Sequence, residues 1–349
     1  MRIITILSLF TFLATSVSQA QISDYYNDAI DLSDDELKTA LHNIIDGHQQ
    51  FPYSSGGTDT WDILKQTDRD PDNSQNVILI YTGNSVNGAQ EFNGGSGWNR
   101  EHVWPQSRGN FGTSPGPGTD THCLRPSNIQ VNADRGSKFF ANCVNCTPVI
   151  NQGQETGNFI DEPNSSFEPR DAIKGDIARM LFYMAVRYEG GSGPDLELID
   201  NILVEGNNPP LMGVVSDLLE WNEEDPVDDF EINRNEVVFG YQGNRNPFVD
   251  HPELAEHIWG DLMGETWPFT MSTFTETPRV FNVYPNPTDG NITISGKWES
   301  AWVFDVTGQQ VAAFSDGSET DLEGFSKGMY TLIILGSSGE KEVTRIVKQ

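Results

Sequence analysis

Apolar positions recur at three- and four-residue spacing in two stretches of the chain. Leu37, Leu41, Ile44 and Ile45 follow Ser33-Asp34-Asp35-Glu36, the Ser-x-x-Glu order of a capping box, and Asp46-Gly47 stops the pattern. A helix with a capped start is predicted there. Ile177, Met180, Leu181, Met184, Ala185 and Tyr188 predict the clearest helix, over 171–188, ended by Gly190-Gly191. A shorter helix is predicted over 252–259, with Pro252 near its start and Gly260 after it. The apolar, β-branched run Val77-Ile78-Leu79-Ile80-Tyr81 reads as a strand. From 90 to 170 the periodicity fades and Gly, Asn, Pro and Ser dominate. An irregular stretch of that length inside a domain usually carries function.

The character changes at STFTETPR, residues 272–279. Beyond it, alternating segments at 280–284, 291–295, 302–306, 310–314, 329–335 and 343–348 are separated by turns, which predicts a small β-sandwich. It holds no His or Cys, so no chemistry is expected there. The first twenty residues place Arg2 before an apolar run that closes on Ser18-Gln19-Ala20, the layout of a secretory signal peptide. No other run is long enough to span a membrane. The expected organisation is a signal peptide at 1–20, a catalytic domain at 21–271, a linker at 272–279 and a β-sandwich at 280–349, of α+β class overall.

The 349 residues carry 51 acidic and 21 basic side chains, a net charge of −30. Taken alone, that charge opposes binding to nucleic acid or an anionic membrane. Its distribution alters the picture. Residues 98–140 hold five basic and three acidic side chains, a balance of +2, whereas 191–279 hold three against nineteen, a balance of −16. A small positive cleft on an acidic body is expected, binding nucleic acid in a salt-sensitive way. Export permits disulfides. One is expected among Cys123, Cys143 and Cys146; which two pair stays open, and a lone CxxC is a weak zinc signal.

There is no HExxH, GxSxG or Walker loop. Of six histidines, His42 and His48 belong to the surface of the first helix, and His251 and His257 to packing or capping. His102 and His122 stand apart, in the polar segments NREHVWPQS (99–107) and DTHCLRPSNIQVNADR (120–135). Carboxylate and amide oxygens suit a hard cation such as Mg²⁺. A neutral His beside it suits a general base acting on water, and arginines suit a phosphodiester. Glu101 and His102 are adjacent, so only a strand end or bulge lets both reach one site. Asp68-Arg69-Asp70-Pro71-Asp72-Asn73 alternates like a calcium loop but lacks the Gly and distal Glu, and reads as an Asx turn. Lys174 and Arg179 on the long helix read as surface or ion-pair residues unless that helix borders the cleft.

These two segments, with VILIYTG at 77–83, KGDIARMLFYMAVRYE at 174–189 and QGNRNPFVDHPELAEHIW at 242–259, resemble the bacterial endonuclease I family, secreted or periplasmic DNases with a His-Me finger (ββα-metal) site. Cys123, where the family often has His or Asn, and the glycine-rich stretch at 109–119 depart from its pattern. The resemblance implies His102 as general base, Glu101 as metal ligand, and Asn132 as a second ligand, with Asn128 the alternative one helical turn away. It implies Arg135 or Arg108 on the scissile phosphate and Arg100 on the substrate backbone; Arg125 is a further expected substrate contact, and Arg245, in the polar turn at 242–248, reads as either a structural-turn residue or a substrate contact. His122 and Asp120 would orient the site. The implied cofactor is Mg²⁺, with Mn²⁺ or Ca²⁺ as alternatives. The implied activity is hydrolysis of DNA, and of RNA as a further substrate, without sequence preference, leaving 5′-phosphate ends. A phosphodiesterase on another substrate and an inactive surface-binding protein are the competing readings. In the tail, YPNPTDG (284–290), VFDVTGQQV (303–311) and KGMYTLIIL (327–335) resemble the C-terminal sorting domain of the type IX secretion system. That implies export by this machinery across the outer membrane to a secreted location; a monomer is expected.

Overall fold

A computed structural model describes residues 24–190, 193–202, 209–268, 281–284, 288–304, 310–315, 320–322, 324–336 and 341–348. The signal-peptide and linker readings fall on 1–20 and 272–279 and lie outside these residues, as do 285–287 and 305–309 of two tail motifs. The chain divides into two compact units, Met1–Phe269 and Thr270–Gln349. Helices and strands are mixed, in keeping with an α+β class.

In the first unit α1 (Asp34–Ile45) buries Leu37, Leu41 and Ile45. Its predicted capping box does not form: the Ser33 side chain makes no cap bond, and the first-turn carboxylates of Asp34, Asp35 and Glu36 are what face the positive end of the helix dipole. The capping box belongs instead to α2 (Thr60–Thr67). There Asp59 accepts from the Trp61 and Asp62 amides at 2.8 and 3.4 Å, and its own amide donates to Asp62 at 3.3 Å.

The predicted strand at 77–81 is cut short. Only β1 (Asn76–Ile78) pairs, with β2 (Ser85–Asn87), because Ile80 and Tyr81 turn into the core. The loop at Asp68 to Asn73 is a turn: Asp70 accepts from the Asp72 amide at 2.8 Å, while Asp68 is buried among arginines.

The stretch over 90–170 is more regular than its composition suggests. It contains β3 (Trp98–His102), β4 (Leu124–Asn128), α3 (Ile129–Arg135) and a four-stranded sheet of β5 (Phe139–Phe140), β6 (Thr147–Asn151), β7 (Gln154–Asp161) and β8 (Ser166–Glu168) in the order β5-β8-β7-β6. The β6–β7 hairpin turns on Gln152-Gly153, both with positive φ (50° and 81°), the geometry of a type I′ turn. β5 and β8, of two and three residues, are too short to show alternation, and β6 and β7 bury too few of their residues to do so.

The long helix α4 (Lys174–Arg187) is buried from Gly175 to Arg187 and forms the centre of the unit. Around it stand β9 (Glu197–Ile199), β10 (Leu211–Val214), α5 (Val215–Glu224), α6 (Asp229–Gln242), α7 (Pro247–Asp250) and α8 (Leu254–Trp259). Arg179 does not reach solvent; its guanidinium grips Glu231 at 2.8 and 2.5 Å. Cys143 and Cys146 form the disulfide, and Cys123 is the buried free thiol, pushed up to about 12 by burial.

The second unit pairs β11 (Asn282–Tyr284) with β12 (Thr293–Ser295). Its larger antiparallel sheet orders β13 (Trp298–Phe304), β14 (Gln310–Ser315), β15 (Gly328–Gly336) and β16 (Lys341–Lys348) as β14-β13-β15-β16. Phe281, Ile294, Ala301, Val303, Leu332 and Ile346 share its core. Among the described residues no helix is long and apolar enough to cross a membrane.

Candidate active site

The site is built on an antiparallel hairpin and the helix that follows it. β3 and β4 pair from Trp98↔Asn128 to His102↔Leu124, and α3 begins on the next residue. The helix folds back across the hairpin, so that Asn132 Nδ2 donates to Asn99 Oδ1 at 3.1 Å. Arg135 donates to the His102 and Val103 carbonyls at 3.3 and 2.6 Å. His102 is the last residue of β3, where the alternation of faces ends, and both it and Glu101 line one cleft. The cleft measures about 800 Å³ and is shared with Arg100, Asn132 and Arg135.

His102 Nε2 lies 2.9 Å from the carbonyl of Gly118, in the glycine-rich loop. A carbonyl only accepts, so Nε2 carries the proton and Nδ1 keeps its lone pair. Burial, reinforced by Arg100 and Arg135, pushes the imidazole down to about 4, so it is neutral at pH 7. Tyr53 stacks on the ring at 5.6 Å and 16°. Burial raises the Glu101 carboxyl, opposed by Arg135 at 3.3 Å and by the Tyr81 hydroxyl, which donates to Oε1 at 2.5 Å. Both partners engage Oε1; among the described residues no side chain donates to Oε2. Asn132 spends its amide donor on Asn99, and among the described residues no donor reaches its Oδ1. The Glu101 carboxylate also accepts from the His102 backbone amide; among the described residues no side chain occupies its Oε2 or Asn132 Oδ1, so two hard oxygens are open to a cation beside a neutral imidazole.

Residues 33–253 match the family described as Endonuclease I. The chain belongs to the Endonuclease I family. It is 52% identical to an extracellular ribonuclease of Bacillus amyloliquefaciens over 251 residues, 70% of this chain and 81% of that one. It is 50% identical to an extracellular ribonuclease of Bacillus subtilis over 72% of this chain and 84% of that one. An extracellular deoxyribonuclease of Aeromonas hydrophila is 30% identical over 131 residues, 38% of this chain and 49% of that one. Residues 282–349 match a secretion system C-terminal sorting domain. The chain is thus a secreted nuclease, a hydrolase.

The Endonuclease I fold gives several sequence-predicted residues other tasks. Asn128 is the N-cap of α3: its Oδ1 accepts from the Gln130 and Val131 amides at 3.0 and 3.1 Å and from Asn151 at 3.1 Å, so it is spent on structure. Arg125 is buried and holds Asp68 at 2.5 Å and Asp176 at 3.1 Å, which removes it from substrate contact. Arg245 is buried likewise, on Asp250 at 2.6 Å and Glu236 at 2.8 Å. Arg108 stacks on Phe139 and donates to the Ser137 carbonyl at 2.8 Å, outside the cleft lining. Arg100 does line the cleft, clamped between the rings of Tyr53 and Trp61. His48 is buried rather than on the surface; it accepts from Arg187 Nε at 3.0 Å. Asp120 and His122, at the end of the β3–β4 loop, are buried against Tyr183, Tyr188, Gln242 and Asn244. Sequence reading missed Tyr53, Trp61 and Tyr81, whose aromatic runs carry no motif spacing, and Gly118, whose contribution is only a carbonyl.

Proposed function

We propose that this secreted nuclease is a metal-dependent endonuclease that hydrolyses phosphodiester bonds of RNA and DNA without sequence preference, with β3, β4 and α3 as its ββα-metal core. The observation that carries the reading is the neutral His102, with Nε2 fixed on Gly118 and Nδ1 without a partner among the described residues, next to the Glu101 and Asn132 oxygens that no side chain among them occupies, in an open cleft. Those oxygens fit a hard divalent cation, Mg²⁺ first and Mn²⁺ or Ca²⁺ as alternatives. Bound there, such an ion supplies charge to steady the phosphate and the departing oxygen. His102 Nδ1 takes the proton from the attacking water. Arg135 and Arg100 add positive charge for the phosphate; each is buried with an Nε that has no hydrogen-bond partner in the protein. The products are 5′-phosphate ends.

Extending the reading to RNA follows from the relatives that match most of the chain, which bear the name ribonuclease. In this reading residues 21–271 are the catalytic domain behind a signal peptide at 1–20. Residues 272–279 join it to a β-sandwich at 280–349 that addresses the monomer to type IX secretion. The test is cleavage of plasmid DNA and single-stranded RNA with Mg²⁺, with EDTA, and with His102→Ala. Cleavage by wild type with Mg²⁺ alone is expected. Activity that survives both EDTA and His102→Ala overturns the mechanism, and hydrolysis of bis-p-nitrophenyl phosphate without nucleic-acid cleavage favours another phosphodiester substrate.

A further inference from the structure

We propose that Phe92 is the stacking platform for an unpaired nucleobase beside the scissile phosphate, so that the enzyme favours single-stranded over duplex substrate; this rests on the nuclease reading above. Phe92 is 53% exposed and lines the cleft with Glu101 and His102. Exposed apolar side chains scattered over a surface need no explanation. Among the described residues, none of the other large exposed ones, such as Val144 or Met263, lines that cleft.

The backbone beneath the ring is firmly held although the ring is not. The Phe92 amide donates to the Trp98 carbonyl at 2.7 Å, and its carbonyl accepts from the Gly95 and Gly97 amides at 2.7 and 3.1 Å. The chain takes φ of 42° at Phe92 and 40° at Asn93, a left-handed conformation that strains a bulky residue. Gly97 closes the turn where a Cβ would sit 1.8 Å from the Gln90 carbonyl oxygen. Glycine or asparagine would fit position 92 with less strain, yet an aromatic ring stands there at the cleft.

The other aromatic rings of the cleft are already in use. The Arg100 guanidinium lies 3.3 Å from the Tyr53 ring centre and 4.0 Å from that of Trp61, and Tyr53 also covers His102. Phe92 is the uncovered ring, next to positive charge suited to a phosphate. A flanking base of a single strand offers an open π-face to it, whereas in a duplex both faces of each base are covered by neighbours.

The test is steady-state cleavage, with Mg²⁺, of a short single-stranded DNA, a single-stranded RNA and a duplex of the same sequence. Phe92→Ala should raise KM on both single strands about tenfold, leave kcat within about twofold, and change the duplex KM by less than about twofold. Phe92→Trp should restore the single-strand KM. An equal loss on single strand and duplex, no loss on either, or a fall in kcat alone would overturn the stacking role. Wild type that cleaves no nucleic acid would remove the nuclease reading together with this one. Active wild type with an indifferent Phe92→Ala removes this one only.

Discussion

Two histidine–carboxylate pairs lie a short distance apart in the sequence and end in opposite circumstances. Glu101-His102 lines the open cleft, while Asp120 and His122 are sealed in the core. Locally they are alike. Each histidine hydrogen-bonds a backbone carbonyl through Nε2, Gly118 at 2.9 Å for one and Asn244 at 3.1 Å for the other. Burial pushes each down to about 4. The carboxylates differ. Asp120 accepts from the Tyr183 and Tyr188 hydroxyls at 2.8 Å each and from Gln242 and the His122 amide at 3.0 Å each, so both oxygens are filled. Glu101 has side-chain partners on one oxygen only. The difference teaches that residue type and burial do not separate the carboxylate proposed to hold a metal from a structural one. The count of oxygens without a side-chain partner at the cleft does.

The sharpest way to break the comparison is to exchange the roles by mutation. His102→Ala should lower kcat at least about a thousandfold, the scale of a general base, with Tm nearly unchanged. A nuclease assay and a thermal melt on the same preparation decide it, and near-normal turnover would sink the assignment. Asp120→Asn should do the reverse. An amide placed among four donors leaves at least one unpaired, so removing this buried charge is expected to lower Tm by on the order of 10 °C. Turnover measured well below that Tm should stay close to wild type. A variant as stable as wild type would show that the four hydrogen bonds do not matter.

This comparison also marks where sequence reading stops. Glu101 and His102 were singled out by residue types suited to a metal and a base, and Asn132 by the family resemblance; all three line one cleft. The helix over 171–188 was legible because its apolar stripe is long, though the pattern gave no hint that Arg179 and Arg187 would be buried with it. Arg125 and Arg245 were misread because an arginine beside a motif looks the same whether its partner is a phosphate or a buried carboxylate. Their partners Asp68, Asp176 and Asp250 come from other segments of the chain. The sheet of β5 to β8 was hidden because β5 and β8 are two and three residues long and β6 and β7 are mostly polar and exposed. The Ser33 box failed because its residue types permit a cap without compelling one.

A smaller effect separates the two regions by pH. His122 is held neutral by burial, against the pull of Asp120, and Asp120 stays ionised despite burial because its hydrogen bonds from Gln242 and Tyr183 and, once protonated at low pH, His48 and His122 outweigh desolvation. Both groups bind fewer protons folded than unfolded, so stability rises with pH. The His122 contribution is complete above its unfolded value near 6.5 and is lost as pH falls through about 4. The Asp120 contribution follows at lower pH still. Thermal melts should therefore show Tm falling by several degrees between pH 7 and 4.5. A flat profile over that window would mean that the buried pair is not held as described.

The smallest expected effect is the most discriminating, because it compares two asparagines one helical turn apart. Asn128 Oδ1 is filled by the amides that begin α3, whereas Asn132 Oδ1 is open. Asn128→Ala should cost about 1 kcal/mol as a lost cap and lower Tm by about 2–4 °C. Activity plotted against Mg²⁺ concentration should keep its midpoint. Asn132→Ala should leave Tm within about a degree, since the side chain is half-buried and its bond to Asn99 is worth little more than a typical hydrogen bond. Its Mg²⁺ midpoint should rise by at least the roughly tenfold that even outer-shell partners of a metal contribute. If the midpoint moves with Asn128→Ala and not with Asn132→Ala, the helix cap and the ligand have been assigned the wrong way round.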